Sequence, residues 1–228
     1  MRQLLSALLW VATLSVSAQN VQVHYDFGKQ IYSEESDRAN VTLSYEHFTV
    51  DKNGSWFYFV DIDVKEKGVS GAYTEVSRTF NLGRSIPTLH FEYNGGINEY
   101  SSFANSFLGG LDYSISDNVT LSLLYRQELK QKNNPQLSTI QITGVWNYPL
   151  GKFMFCGFVD VWNSYIPKWN EGGQEKGWIV LAEPQLWYNF NNVFSIGTEI
   201  RVSNNFVYPT KGNKTIFINP TIAVKYNL

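Results

Sequence analysis

The chain has 228 residues, 18 Lys and Arg against 20 Asp and Glu, a formal net charge of −2, and one cysteine, Cys156. The near-neutral balance offers no basic footprint for nucleic acid, and a lone cysteine excludes an intramolecular disulfide and any cysteine-based metal centre. Aromatics make up 16% and charged residues only 17%, whereas ordinary soluble domains carry about 25% charged residues, so the composition suits a chain with a lipid-facing belt.

Met1 and Arg2 precede an apolar run from Leu4 to Val16, and Val16, Ser17 and Ala18 supply a small-residue cleavage pattern. Residues 1–18 therefore read as a secretory signal peptide and 19–228 as the mature domain. The run is too short for a spanning helix, which needs about 20 apolar residues. With no second run of that kind and a mean hydropathy of −0.23, the chain is not a helical membrane protein. An exported chain of this type is a secreted soluble domain or a barrel.

The mature chain divides into about 12 segments of period-two alternation. Val21, Val23, Tyr25 and Phe27 oppose Gln22, His24 and Asp26; Val41, Leu43 and Tyr45 oppose Thr42, Ser44 and Glu46; Trp56, Tyr58, Val60 and Ile62 oppose Phe57, Phe59, Asp61 and Asp63. A fourth segment lies near Tyr73 to Leu82, with Arg78 on the lipid parity and Glu75 off it, which implies a bulge or a shifted phase. Leu89, Phe91 and Tyr93 then oppose His90 and Glu92, Phe107, Leu111 and Tyr113 oppose Asp112, and Leu121, Leu123 and Tyr125 oppose Arg126 and Glu128. Ile140, Ile142 and Trp146 oppose Gln141 and Thr143, and Phe153, Phe155, Val159 and Val161 oppose Phe158, Asp160 and Trp162. The tenth segment sets Val180, Ala182, Leu186 and Tyr188 against Glu183 and Gln185, with Pro184 implying an interruption. Phe194, Ile196, Ile200 and Val202 oppose Glu199 and Arg201, and the last segment sets Ile216, Ile218, Ile222, Val224, Tyr226 and Leu228 against Asn219, Thr221, Lys225 and Asn227. One greasy and one polar face per strand describes a wall between oil and water.

The connections point the same way. With the N-terminus on the periplasmic side, tight turns are expected at DKNGS, LGRS, ISDN, YPLGK and FNN. Longer connections are expected at KQIYSEESDRAN, KEKGVSG, NGGINEYSSF, KQKNNPQ, SYIPKWNEGGQEKG and NNFVYPTKGN. This sorting is that of transmembrane barrels. The expected fold is an all-β antiparallel transmembrane barrel of about 12 strands, with 10 or 14 if one segment is misread, in the outer membrane of a Gram-negative bacterium.

On this phase the inner face collects Asp26, Glu46, Asp61, Asp63, Glu75, Glu92, Asp112, Glu128, Asp160, Glu183 and Glu199 against Arg126, Arg201 and Lys225. An acidic lumen disfavours anionic solutes. Phe48, Phe57, Phe59, Phe158 and Trp162 share that face and could stack on a flat ring while carboxylates accept hydroxyl hydrogen bonds. Interior charges also brace barrel walls, and Phe57, beside a turn, suits a plugging role.

The stretch TLSYEHFTVDKNGSWFYFVDID, Thr42 to Asp63, resembles the second and third strands of Tsx-type nucleoside-specific channels, through Tyr45, Glu46 and Phe48 and then Trp56, Phe57 and Phe59 with an acid beyond. Glu75, Arg78 and Phe80 and the closing Tyr226, Asn227 and Leu228 are similar too. The resemblance marks a divergent, short-looped member. It implies a monomeric 12-stranded channel passing nucleosides, and carries aromatic and acidic lumen roles onto Glu46, Phe48, Phe59, Asp63 and Glu75. Together with the inner-face reading, the candidate solute-binding residues are Glu46, Phe48, Phe59, Asp61, Asp63, Glu75, Phe158, Asp160, Trp162 and Arg201.

The expected function is a passive channel for small neutral or cationic solutes such as nucleosides. Expected partners are outer-membrane lipid and, through the C-terminal strand, the barrel-assembly machinery; no cofactor, metal or nucleic acid is expected. Two alternatives stand: a non-selective pore or non-conducting barrel whose loops, with Tyr165 and Trp169, bind a partner, and a lipid-modifying enzyme. For the latter, His24 shares a face with Asp26 and His90 with Glu92, but only His47 falls on the lipid face, where such chemistry belongs.

Overall fold

The computed structural model describes residues 16–83, 87–99, 102–130, 135–167, 173–206 and 214–228. The strands are β1 (Val16–Asp26), β2 (Val41–Asp51), β3 (Gly54–Lys65), β4 (Gly68–Phe80), β5 (Thr88–Asn98), β6 (Ser102–Ser116) and β7 (Val119–Glu128). They continue with β8 (Leu137–Leu150), β9 (Phe153–Pro167), β10 (Gln174–Ala182), β11 (Gln185–Asn189), β12 (Phe194–Asn204) and β13 (Ile216–Asn227). Apart from β10 and β11, consecutive strands pair antiparallel, and β1 pairs with β13, Val21 opposite Tyr226, so the sheet closes on itself. β10 and β11 lie end to end between β9 and β12 and together fill one position. The wall is therefore a closed barrel of 12 strands.

Closure is what a lipid environment demands, because an open edge would leave backbone N–H and C=O groups with no water to meet them. The parity read from the sequence is the parity observed. Val23, Leu43, Phe91, Leu123, Ile140 and Ile222 stand exposed on the outside, while Gln22, Ser44, Asn94, Ser122, Gln141 and Thr221 are buried inside. Every strand but β11 has at least the roughly 9–11 residues that cross a bilayer, β6 and β9 reaching 15.

Pro184 interrupts its strand as its missing N–H requires, and the neighbours absorb the break. The Glu183 amide donates to the Phe158 carbonyl at 3.0 Å, and the Pro184 carbonyl accepts from the Ile200 amide at 3.0 Å. On β9, a side chain at Gly157 would meet the Glu183 carbonyl oxygen at 2.3 Å, so a glycine lets the irregular segment lie against the wall.

Two local expectations change. The fourth strand starts at Gly68 and does carry a bulge, but at Ser70, where Asp63 pairs with Gly71 and Val64 with Val69; Arg78 and Glu75 lie in continuous register, opposite Trp56 and Phe59. Arg78 holds its outward position because its guanidinium lies 5.1 Å from the Trp56 ring and 4.8 Å from the Phe80 ring and pairs with Asp51 at 2.9 Å, beside a turn where a bilayer is wet. The expected long connection KEKGVSG is a two-residue turn, Glu66 and Lys67, because β3 and β4 keep pairing to Lys65 and Gly68. Of the expected tight turn at LGRS, Arg84 and Ser85 lie outside the described residues. Lys168 and Trp169, assigned to an outer loop, lie outside the described residues.

The β1–β2 connection carries its own structure: a one-turn helix α1 (Gly28–Ile31) and a 3-10 turn (Ser33–Glu35). It folds back over the inward side chains of β13, where the Tyr32 ring meets Phe217 edge-on at 5.2 Å and the Tyr32 hydroxyl accepts from the Ile218 amide at 3.2 Å.

Candidate functional site

The strands β3 to β6 build an aromatic wall inside the lumen. Alternation on β3 puts Phe57, Phe59, Asp61 and Asp63 in one inward column. Phe57 and Phe59 have ring centroids 5.9 Å apart, Phe59 and Tyr73 of β4 are 5.7 Å apart, and Tyr73 stacks on Phe103 of β6 at 6.2 Å with 12° between planes. The last contact crosses β5 because Gly96, opposite both Tyr73 and Phe103 in register, has no side chain: a Cβ there would lie 2.4 Å from the Phe103 ring. Between these rings sit acids. Phe59 is level with Glu46 on one side and Glu75 on the other, and Tyr73 is level with Asp61.

The carboxylates of this wall are partly satisfied by neutral neighbours. Ser44 donates to Asp61 at 2.6 Å, Thr42 to Asp63 at 2.8 Å, and the Asn20 amide to Glu46 at 3.1 Å. Phe48 is 40% exposed near the terminal end, opposite Phe57.

The facing wall, β7 to β13, is built on ion pairs. Arg201 pairs with Glu183, and Gln185 donates to Glu199 at 2.9 Å. Arg126 pairs with Glu128 at 3.3 Å, donates to Gln141 at 2.8 Å and lies 5.1 Å from the Trp162 ring centroid. Thr143 donates to Asp160 at 2.5 Å, and the Glu183 amide bonds the Phe158 carbonyl. Nearer the terminal end, Trp187 is buried across β12, where a Cβ on Gly197 would strike its indole at 2.4 Å. Lys225 stands 3.8 Å over that ring, and His24 meets its edge at 6.1 Å.

The two walls are close enough to feel each other. Asp61 interacts electrostatically with Arg201 and Glu183, Glu75 with Asp160 and Arg126, and Asp160 with Glu92, all across the lumen. The barrel is thus narrow, and the ten residues expected from the sequence line it, though in two groups: Glu46, Phe48, Phe59, Asp61, Asp63 and Glu75 on the aromatic wall, and Phe158, Asp160, Trp162 and Arg201 on the ion-pair wall. Sequence reasoning missed Tyr73 and Phe103. Tyr73 shares Glu75's parity and could have been read from it, whereas the register shift between Asn94 and Gly96 hides Phe103.

Among the described residues, no histidine is bonded to a serine, threonine or cysteine side chain. His24 bonds Gln22 at 2.8 Å, while Asp26 holds Arg38 instead. His90 lies between Asp112 at 2.9 Å and Glu92 at 3.0 Å, and His47, on the outer face, stacks on Tyr58 at 4.9 Å.

The model of the family described as Domain of unknown function (DUF5020) matches residues 18–228. The chain belongs to this family. No curated protein matches its sequence. Among solved structures, the NanC porin superposes with a TM-score of 0.61 at 13% identity, covering 92% of this chain and 100% of that one. The KdgM porin gives 0.50 at 11% identity, covering 93% and 99%. At these identities the likeness is one of fold. A closed barrel of the porin kind with an apolar exterior places this DUF5020 chain in the bacterial outer membrane. The findings agree with the outer-membrane barrel that the Tsx-type resemblance implied and do not extend to that family.

Proposed function

We propose that this DUF5020 barrel is a monomeric passive channel for small neutral or cationic solutes, with nucleosides the class its lumen suits best. The observation that carries the reading is the strip of Phe57, Phe59, Tyr73 and Phe103 with Glu46, Glu75 and Asp61 level with its rings. A flat base stacks on such rings at about 1–3 kcal/mol per base, and ribose hydroxyls donate to the carboxylates. The surplus of inward acids works against anions. The oligogalacturonate named with the KdgM porin is an acidic saccharide, the kind of solute this lining repels.

The test is single-channel conductance of the refolded mature protein in planar bilayers, titrated with nucleosides and with sugars of equal size. Cation-leaning conductance blocked by nucleosides and not by sugars supports the proposal; equal block by both reduces it to an unselective pore.

One observation favours a second reading, a barrel closed at rest. Inward-facing Leu108, Leu124, Trp162, Ile179, Trp187 and Phe217 are all buried, and the β1–β2 connection covers one mouth. A correctly folded barrel that carries no current under any titration would favour this reading.

A further inference from the structure

The β1–β2 connection is held over the mouth by a small polar cluster with an unexplained feature. Arg38 reaches back from the connection to Asp26 of β1, its Nε and Nη2 at 2.9 and 2.6 Å from Oδ2, and its Nη1 lies 3.4 Å from Glu35 Oε1. Glu35 is buried, and its Oε1 accepts from the Asn219 side-chain amide of β13 at 3.0 Å. Glu35 Oε2 and Asn219 Oδ1 are both buried and have no hydrogen-bond partner among the described residues. These are the other oxygen of the same carboxyl and the other atom of the same amide.

A carboxylate facing a primary amide can satisfy only one side of the pair, since its second oxygen meets the amide oxygen, and swapping the amide's N and O merely exchanges the two sides. Two buried acceptors left bare carry an uncompensated desolvation cost. One proton removes both costs: a neutral Glu35 donates through Oε2–H to Asn219 Oδ1 while accepting from Nδ2, giving a cyclic pair of hydrogen bonds. We propose that Glu35 and Asn219 form a proton-operated latch, closed when Glu35 is neutral, that ties the β1–β2 connection to β13 and opens when the proton is lost.

The electrostatics around the carboxyl bear on this. Burial pushes the Glu35 carboxyl above the ordinary carboxylate range, opposed by Arg38 beside it and by the Asn219 hydrogen bond, with Asp26 of β1 adding to the rise and Arg201 of β12 opposing it. Lys214, before β13, lies 3.8 Å over the Tyr32 ring of the same connection. The net direction is upward. The latch's stabilisation is therefore present at acidic pH and lost as pH rises through the folded-state value, so the mouth opens toward alkaline conditions.

The test compares the refolded barrel with its Glu35→Gln variant, whose side chain cannot titrate and can pair with Asn219 at every pH. Trypsin cleavage after Lys29 and Arg38 is measured for both from mildly acidic to mildly alkaline pH, alongside the carbon NMR shift of the Glu35 carboxyl. The wild-type to Glu35→Gln ratio of cleavage rates is expected to start near unity and rise about fivefold, the scale of one lost hydrogen bond. Glu35→Ala should be cleaved fast throughout. A ratio that stays flat, or a Glu35 carboxyl that titrates in the ordinary carboxylate range, overturns the latch. Because cleavage is read without current, a barrel that fails to conduct overturns the channel proposal and leaves this result standing.

Discussion

The two walls of the lumen use the same residue types for different ends. Along β3 to β6 the rings of Phe57, Phe59, Tyr73 and Phe103 meet one another while remaining partly accessible, and Asp61 and Asp63 are bonded by hydroxyls. Along β7 to β13 the carboxylates Glu128 and Glu183 are tied to arginines and buried, and Trp162 and Trp187 are covered by Arg126 and Lys225. Charges committed to each other brace a wall; charges left to hydroxyls beside open rings can still meet a solute. The contrast teaches that an inward acid or aromatic is not by itself a solute contact, and what its neighbours do with it decides.

The contrast can be broken most sharply on the ion-pair wall. Arg201→Met strands Glu183 and Glu199 without their counterion and is expected to destabilise the barrel by about 3–5 kcal/mol, read by urea unfolding in lipid vesicles. The double variant Arg201→Met with Glu183→Gln should regain much of the loss. If Arg201→Met unfolds at the wild-type urea concentration, the bracing role is wrong.

On the aromatic wall the effect should move from stability to solute. Phe59→Leu is expected to weaken nucleoside block by about 1–3 kcal/mol while unfolding as the wild type does. Block unchanged in a conducting Phe59→Leu channel would separate the strip from the transport path. Gly96→Ala sharpens the point without replacing any ring, since the new methyl must displace Phe103 from Tyr73. It should weaken block by about 1 kcal/mol, the value of one aromatic pairing.

Asp61→Asn combined with Asp160→Asn should lower cation preference roughly twofold, seen as a shift of reversal potential toward zero in a salt gradient. The smallest effect is expected outside the lumen. Arg78→Met loses its contacts with Trp56, Phe80 and Asp51 at a cost of about 1 kcal/mol and leaves conductance unchanged.

The amino-acid order alone determined the inside and outside of nearly every strand, because side-chain alternation has a period of two and a lipid face strongly favours apolar residues. It located the Pro184 interruption for the same reason, a missing donor. It also placed all ten candidate residues on the inner face. Only the closed barrel could show which of them share a wall, since Asp61 and Arg201, far apart in the chain, become electrostatic neighbours when β1 meets β13. Phe103 was hidden by a register shift that no periodicity announces, and Arg78 by a salvage of its charge that depends on Asp51 across a turn. The pairing of Glu35 with Asn219 joins opposite ends of the chain. Local alternation fixes faces, whereas ring closure and the folding of the β1–β2 connection decide neighbours, and chemistry is a property of neighbours.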